Sequence, residues 1–175
     1  MIGNEPFAVL LHDDVIKGKR GALAQMVQAH HDIGGHMVAI MDVPRVDTSK
    51  YGVLDVDHEN SRISHARGLV EKPSADIAAS TKAVVGRYIL DCAIFDRLNN
   101  LGPGAGGELQ LTDTINADVA SVGVTGCRFE GERFDCGSVQ GFVQATVAFV
   151  LDRADLRDDF VTFVDERDKP LRVVA

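Results

Sequence analysis

The sequence predicts an α/β protein with parallel strands, and three segments carry the prediction. Phe7-Ala8-Val9-Leu10-Leu11 is apolar without alternation and stops at His12-Asp13-Asp14. An unbroken apolar run suits a strand covered on both faces. Residues 21–31 place Leu23, Met26, Val27 and His30 on one helical face, and Gly34-Gly35 supplies the stop. Met37-Val38-Ala39-Ile40-Met41 then reads as a second buried strand, closed by Pro44. Strand, helix and strand in that order make a βαβ unit.

The middle of the chain is richer in strands. Tyr51 to Val56 alternates, residues 57–61 turn, and residues 62–70 return as a partner strand. Ala83 to Leu90 is a further strand, and Asp91 is placed to cap a helix running through Leu98. Leu101 to Gly107 is a glycine-rich loop, either a connector or a segment whose backbone closes on a ligand. Thr112 is placed to cap a helix carrying Ile115 and Val119. Residues 127–134 read as a hairpin around Glu130-Gly131-Glu132. Val139, Phe142, Val143, Thr146, Val147 and Val150 form one apolar stripe, expected to pack in the core. Leu156, Phe160 and Phe163 mark an amphipathic helix that packs on the body or on a partner. This gives one domain over residues 1–151 and a helical tail over 152–175.

Composition narrows the function. The 175 residues suffice for a substantial core, and a net charge of -8 argues against a nucleic-acid or anionic-membrane binder. No apolar stretch is long enough to span a bilayer, and no signal-peptide pattern opens the chain. Cys92, Cys127 and Cys136 are odd in number and lack CxxC spacing, which fits reduced thiols in a cytoplasm. Neither HxxxH nor HExxH occurs, so a zinc site is not expected.

Four places could carry chemistry. Ligands of open α/β sheets sit outside the carboxyl ends of the strands. Asp13 and Asp14 would lie there, as cation ligands or as a solvated acidic turn. Glu71-Lys72-Pro73 follows an apolar stretch, and Pro73 disfavours the helical region for Lys72. Lys72 is therefore expected to be extended, with Glu71 and Lys72 pointing to opposite sides. One would accept from sugar hydroxyls while the other meets a phosphate; a salt-bridged strand end is the plainer alternative. Gly52 opens a strand, either where a ligand approaches the backbone or as a simple turn residue. Asp135 precedes a helix, as a second metal carboxylate or as its cap.

Taken together, FAVLLHDDVI, LAQMV, GGHMVAIMDVP, TSKYGVLDV, GLVEKP, AVVGRYIL, GAGGELQLTD, RFEGERFDCG and GFVQATVAFVL resemble the bacterial UTP–glucose-1-phosphate uridylyltransferases. They cover nearly the whole chain in order. The resemblance implies a Rossmann-like nucleotide-diphospho-sugar transferase fold, truncated at the amino terminus. It implies the reaction of UTP with glucose 1-phosphate to give UDP-glucose and pyrophosphate, with Mg2+ and in a homo-oligomer. Carried over by position, Asp13 and Asp135 resemble the metal carboxylates and Glu71 the ligand of the glucose hydroxyls. Lys72 resembles the ligand of the sugar phosphate, and Gly52 the glycine facing the sugar. Val85, Gly86 and Arg87 resemble the strand lining that pocket. His12 stands where the family has proline. The family's amino-terminal GxGTRxLPxTK loop, which grips the UTP phosphates, has no counterpart here. The chain alone is therefore expected to be inactive, with a remnant that binds sugar phosphate or joins full-length subunits as the alternative. A relative using dTTP or another sugar is a further reading, because the absent segment largely reads the base.

Overall fold

A six-stranded mixed sheet organises the first part of the chain. The computed structural model describes residues 3–100, 102 and 109–168. The chain divides into two units, residues 1–133 and 134–175. The boundary expected after residue 151 falls between the two helices of the second unit.

In chain order the strands are β1 (Phe7–Leu10), β2 (Asp14–Lys17), β3 (His36–Asp42), β4 (Gly52–Asn60), β5 (Ile63–Glu71), β6 (Lys82–Leu90), β7 (Val124–Arg128) and β8 (Glu132–Asp135). The helices are α1 (Ala22–Ile33), α2 (Ala93–Asn100), α3 (Leu111–Ala117), α4 (Val139–Leu151) and α5 (Ala154–Asp168). The large sheet has the order β1-β6-β3-β7-β5-β4, and β2 and β8 form a separate two-stranded sheet.

The large sheet is mixed, and this corrects the expectation of parallel strands. Strands β3 and β7 pair in parallel, whereas β6 runs antiparallel to both β1 and β3. β1 and β3 therefore keep the common direction of a βαβ unit, with β6 inserted between them. Strand β1 is not an interior strand. It is hydrogen-bonded along β6, and burial alternates along it, with Leu10 half-exposed. An edge position leaves one face partly in solvent whatever the apolar content.

Strand β3 has the burial that its sequence predicts. Val38 and Ile40 enter one core cluster with Leu54, Leu69, Ile94 and Ile115. Met37 and Ala39 enter another with Met26, Val85, Ile89 and Cys127. Successive side chains of a strand point to opposite faces, so a strand buried on both faces reads as a continuous apolar run. Helix α1 supplies Met26, fully buried, while Val27 is half-exposed although the periodicity placed it on the inner face. Gly34 ends α1 at φ 72°, a left-handed stop that glycine adopts freely.

A buried polar network lies at the start of β3. The Asp91 amide donates to His36 Nδ1 at 3.1 Å, so His36 carries its proton on Nε2 and donates it to Asp118 at 3.2 Å. Asp118 also accepts from Arg97 and Ser121. Burial pushes the Asp118 carboxyl up, but the hydrogen bonds from Arg97, His36 and Ser121 outweigh it and leave its pKa below the usual value. Asp91 caps α2 as expected, accepting from the Ala93 amide at 2.9 Å.

Three further expectations need correction. The hairpin spans Gly52–Asn60 and Ile63–Glu71, so β4 extends through most of the predicted turn and the reversal occupies only Ser61 and Arg62. Residues 127–134 are not a hairpin, because β7 belongs to the large sheet and β8 to the small one. The α4 stripe is not core: Val139 is 84% exposed and Phe142 60%, and the buried residues of α4 are Gly141 and Ala145. Among the described residues, the only other helix in the second unit is α5. The glycine-rich loop over 101–107 lies outside the described residues except for Gly102.

Candidate functional site

The site is assembled on the ends of β1, β4 and β5 and the middle of β6. After β1 the chain turns through Leu11 to Asp14, and strand β6 fastens the turn. The Leu11 amide donates to the Gly86 carbonyl at 2.9 Å. The buried Asp14 accepts from the Gly86 amide at 2.7 Å through Oδ2 and from Arg133 Nε through Oδ1. The Arg87 guanidinium donates to the carbonyls of Leu11, Gly86 and Asp14. A Cβ on Gly86 would stand 2.6 Å from Asp14 Oδ2 and 2.7 Å from Leu11 Cβ, so only glycine lets the turn close. Asp13, by contrast, is partly exposed and has no hydrogen-bond or ion-pair partner among the described residues. The two adjacent acids thus divide the work: Asp14 is spent on structure and Asp13 is available.

The second part is a cleft where β4, β5 and α3 meet. Thr112 Oγ1 donates to Glu71 Oε2 at 2.7 Å. Gly52 pairs with Glu71 across the ladder, and a Cβ there would lie 3.1 Å from Thr112 Oγ1 and 3.2 Å from Glu71 Oε2. Lys72 Nζ stands 3.7 Å from Glu71 Oε1. A cavity of about 480 Å³ opens beside them, lined by Leu69, Val70, Glu71, Lys72, Gln110 and Asp113. Lys72 is not extended: its φ is 47°, in the left-handed region, and its amide donates to the Tyr51 carbonyl at 3.0 Å. The restriction before Pro73 excludes the right-handed helical region, and the chain satisfies it with a rarer conformation. As a result the Glu71 and Lys72 side chains converge instead of diverging.

The two parts are joined through Arg133, which donates to Tyr51 Oη at 3.3 Å as well as to Asp14, and whose guanidinium lies over the Tyr51 ring. Tyr88 feels both. Burial first, then the charges of Asp14 and Glu71, pushes its phenol up to about 12. Asp135 belongs to the second unit, where it is exposed and its Oδ1 accepts from the Gly137 amide at 3.2 Å. It does not cap α4: Ser138 does, accepting from the Gly141 amide at 3.0 Å. Among the described residues, no three His, Cys, Asp or Glu side chains are gathered for a metal ion.

Residues 1–150 match the nucleotidyl transferase family. The chain belongs to that family. It is 45% identical over 137 residues to the UTP–glucose-1-phosphate uridylyltransferase of Komagataeibacter xylinus, covering 78% of this chain and 48% of that protein. The chain thus spans about half the length of that curated relative. Its fold matches a UDP-glucose pyrophosphorylase complexed with UDP-glucose at a TM-score of 0.81 and 37% identity, covering 87% of this chain and 59% of the other. It also matches the UTP-bound enzyme from Acinetobacter baumannii at a TM-score of 0.83 and 31% identity, covering 94% of this chain and 57% of the other. The expected Rossmann-like nucleotidyltransferase fold is therefore the fold this chain has.

In this member of the nucleotidyl transferase family, Gly52, Glu71 and Lys72 come together in one cleft, and Asp13, Gly86 and Arg87 in the adjoining turn. Val85 packs in the core with Met26 and Ile89, so it offers a ligand no side-chain surface. The Arg87 guanidinium is spent on the carbonyls of the turn. Thr112 lies inside the first turn of α3, and the capping position belongs to Gln110. Residue-by-residue reading missed the cleft roles of Thr112, Tyr51, Tyr88 and Arg133. Thr112 looked like a cap by position, and nothing local to Arg133 announces a partner that is 119 residues away. Gly102-x-Gly104-x-x-Gly107 has dinucleotide-loop spacing, but it follows helix α2 and not a strand, the context that would give it that role.

Proposed function

We propose that this chain provides the sugar-phosphate half of a UTP–glucose-1-phosphate uridylyltransferase site. One observation carries the reading. A carboxylate, Glu71, is pinned against the side-chain-free face of Gly52, with the Lys72 ammonium beside it, at the mouth of a cavity. Sugar hydroxyls are donors and suit Glu71, while a phosphate suits the point charge of lysine. The names of the relatives supply the substrates: UTP and glucose 1-phosphate.

The chemistry asks little of a protein base. The attacking phosphate oxygen is already ionised, so the site has to hold two anions in line and offset their charge. Lys72 holds the nucleophile and screens its charge, and Glu71 fixes the sugar ring that carries it. Asp13 and Asp135 are the oxygen-donor side chains proposed for Mg2+. When bound, Mg2+ would supply charge neutralisation for the phosphates. Asp14 and Arg87 keep the turn that carries Asp13 in place.

The reading extends to context. The free thiols Cys92, Cys127 and Cys136 support a reducing, cytoplasmic setting, and no described helix is long and apolar enough to cross a membrane. The half-exposed Leu10 on edge strand β1 and the exposed Val139 and Phe142 on α4 support a homo-oligomer.

Calorimetric titration with glucose 1-phosphate tests the cleft. The chain should bind it, and Lys72→Ala should weaken that binding by about tenfold or more. Absence of binding by the unaltered chain would overturn the reading. Pyrophosphate release with UTP, glucose 1-phosphate and Mg2+ tests whether the chain suffices. No GxxxxGK[ST] loop occurs in it and no glycine-rich loop follows β1, so no turnover is expected. Turnover of roughly 1 to 1000 per second would refute that part.

A further inference from the structure

We infer that Thr112 is a positioning residue that sets the sugar specificity of the cleft by locking Glu71 in one rotamer. The inference rests on the proposed hexose 1-phosphate site and adds to it a residue that never touches the reacting phosphate.

Three groups close on one another. Thr112 Oγ1 lies 2.7 Å from Glu71 Oε2. The position a Cβ would take on Gly52 is 3.1 Å from that hydroxyl, 3.2 Å from that carboxylate oxygen and 3.4 Å from Thr112 Cγ2. Glu71 itself is fixed in the ladder opposite Gly52. A threonine in the first turn of a helix commonly bonds its own backbone, as Thr114 does to the Gln110 carbonyl at 3.0 Å. Thr112 instead spends its hydroxyl on a side chain 41 residues away.

The consequence concerns the other oxygen. With Oε2 held by a hydroxyl and packed against Gly52, the carboxylate cannot swing. Oε1, 3.7 Å from Lys72 Nζ, becomes a single acceptor at a fixed distance from the phosphate-binding ammonium. One acceptor held relative to one cation measures the position of a hydroxyl relative to the phosphate on the same ring. Epimers that place the hydroxyl differently leave the acceptor unpaired, which is how a polar site rejects a near-isostere. A mobile glutamate would follow the hydroxyl and lose the distinction.

The test measures binding of glucose 1-phosphate and galactose 1-phosphate to the full chain, to Thr112→Val and to Thr112→Ser, with folding checked by circular dichroism. Thr112→Val should weaken glucose 1-phosphate by about tenfold, the usual effect of losing a hydrogen bond to a charged group, and should bring the two affinities closer together. Thr112→Ser should restore both the affinity and the ratio. In a Glu71→Ala background, which removes the acceptor, Thr112→Val should add little, because the residue acts through Glu71. An unchanged ratio in Thr112→Val, or an equal loss in both backgrounds, overturns the inference while leaving the cleft assignment standing. If the unaltered chain binds neither sugar phosphate, the proposed function falls and this inference with it.

Discussion

Gly86→Ala should be among the most damaging single-methyl changes in this chain. The added Cβ would sit 2.6 Å from Asp14 Oδ2, 2.7 Å from Leu11 Cβ and 2.9 Å from Leu11 Cγ. None of these atoms can yield cheaply. Asp14 Oδ2 is held by the Gly86 amide and Oδ1 by Arg133, so turning the carboxylate sacrifices both bonds. Leu11 Cβ is tied to a backbone whose amide and carbonyl are both bonded to β6 residues. Overpacking of this kind costs about 1 to 3 kcal/mol. Losing a hydrogen bond to a buried charge adds about 1.5 to 3 kcal/mol. The total, about 2.5 to 6 kcal/mol, is a large part of the stability of a small domain. Urea unfolding followed by circular dichroism measures it. With slopes of about 1 to 3 kcal/mol per molar, the midpoint should fall by at least 1 M or so. A midpoint within experimental error of the parent would refute the packing account of the Leu11–Asp14 turn.

Three other outcomes follow from the same geometry. Tyr51 and Tyr88 are the two tyrosines, so an alkaline ultraviolet titration should show a phenol ionising near 12 that Tyr88→Phe removes; a Tyr88 that titrates near 10 would contradict its placement beside Asp14 and Glu71. Asp118 has its pKa lowered on folding, so its contribution is present above the unfolded value near 4 and is lost as pH falls through the folded value. The stability gap between the parent and Asp118→Asn should therefore narrow below about pH 4, and a gap constant with pH would count against the network. Lys72 holds a φ of 47°, where a Cβ costs about 1 kcal/mol, so Lys72→Gly should be more stable than Lys72→Ala although both lose the ammonium. An alanine variant that outlasts the glycine variant would show that the conformation is not strained.

The chemistry of the cleft was partly legible before any fold was drawn. Glu71-Lys72-Pro73 and Gly52 were picked out by residue type, and the structure seats them together because β4 and β5 pair in register. Their relative orientation was not legible. Alternation predicts divergent side chains for an extended pair, and the positive φ of Lys72 reverses that outcome. Asp13 and Asp14 were indistinguishable in sequence. The difference lies in the partners the turn gives each of them: Gly86 and Arg133 for Asp14, and no hydrogen-bond or ion-pair partner among the described residues for Asp13.

The sequence by itself determined most of the strand and helix segments, the double burial of β3, and the family. Those rest on local periodicity and on residue identities that survive in order along the chain. Tertiary structure decided which apolar runs are interior. Phe7–Leu10 and Met37–Met41 look alike as strings, yet β1 takes an edge and β3 the middle, because hydrogen-bonded neighbours, not apolar content, fix a strand's place. It also decided which polar groups are spent on holding the fold. Asp14 is committed to Arg133 and the Gly86 amide, and Arg87 to backbone carbonyls of the turn, across long stretches of chain, and pairings at that separation leave no mark on local sequence pattern.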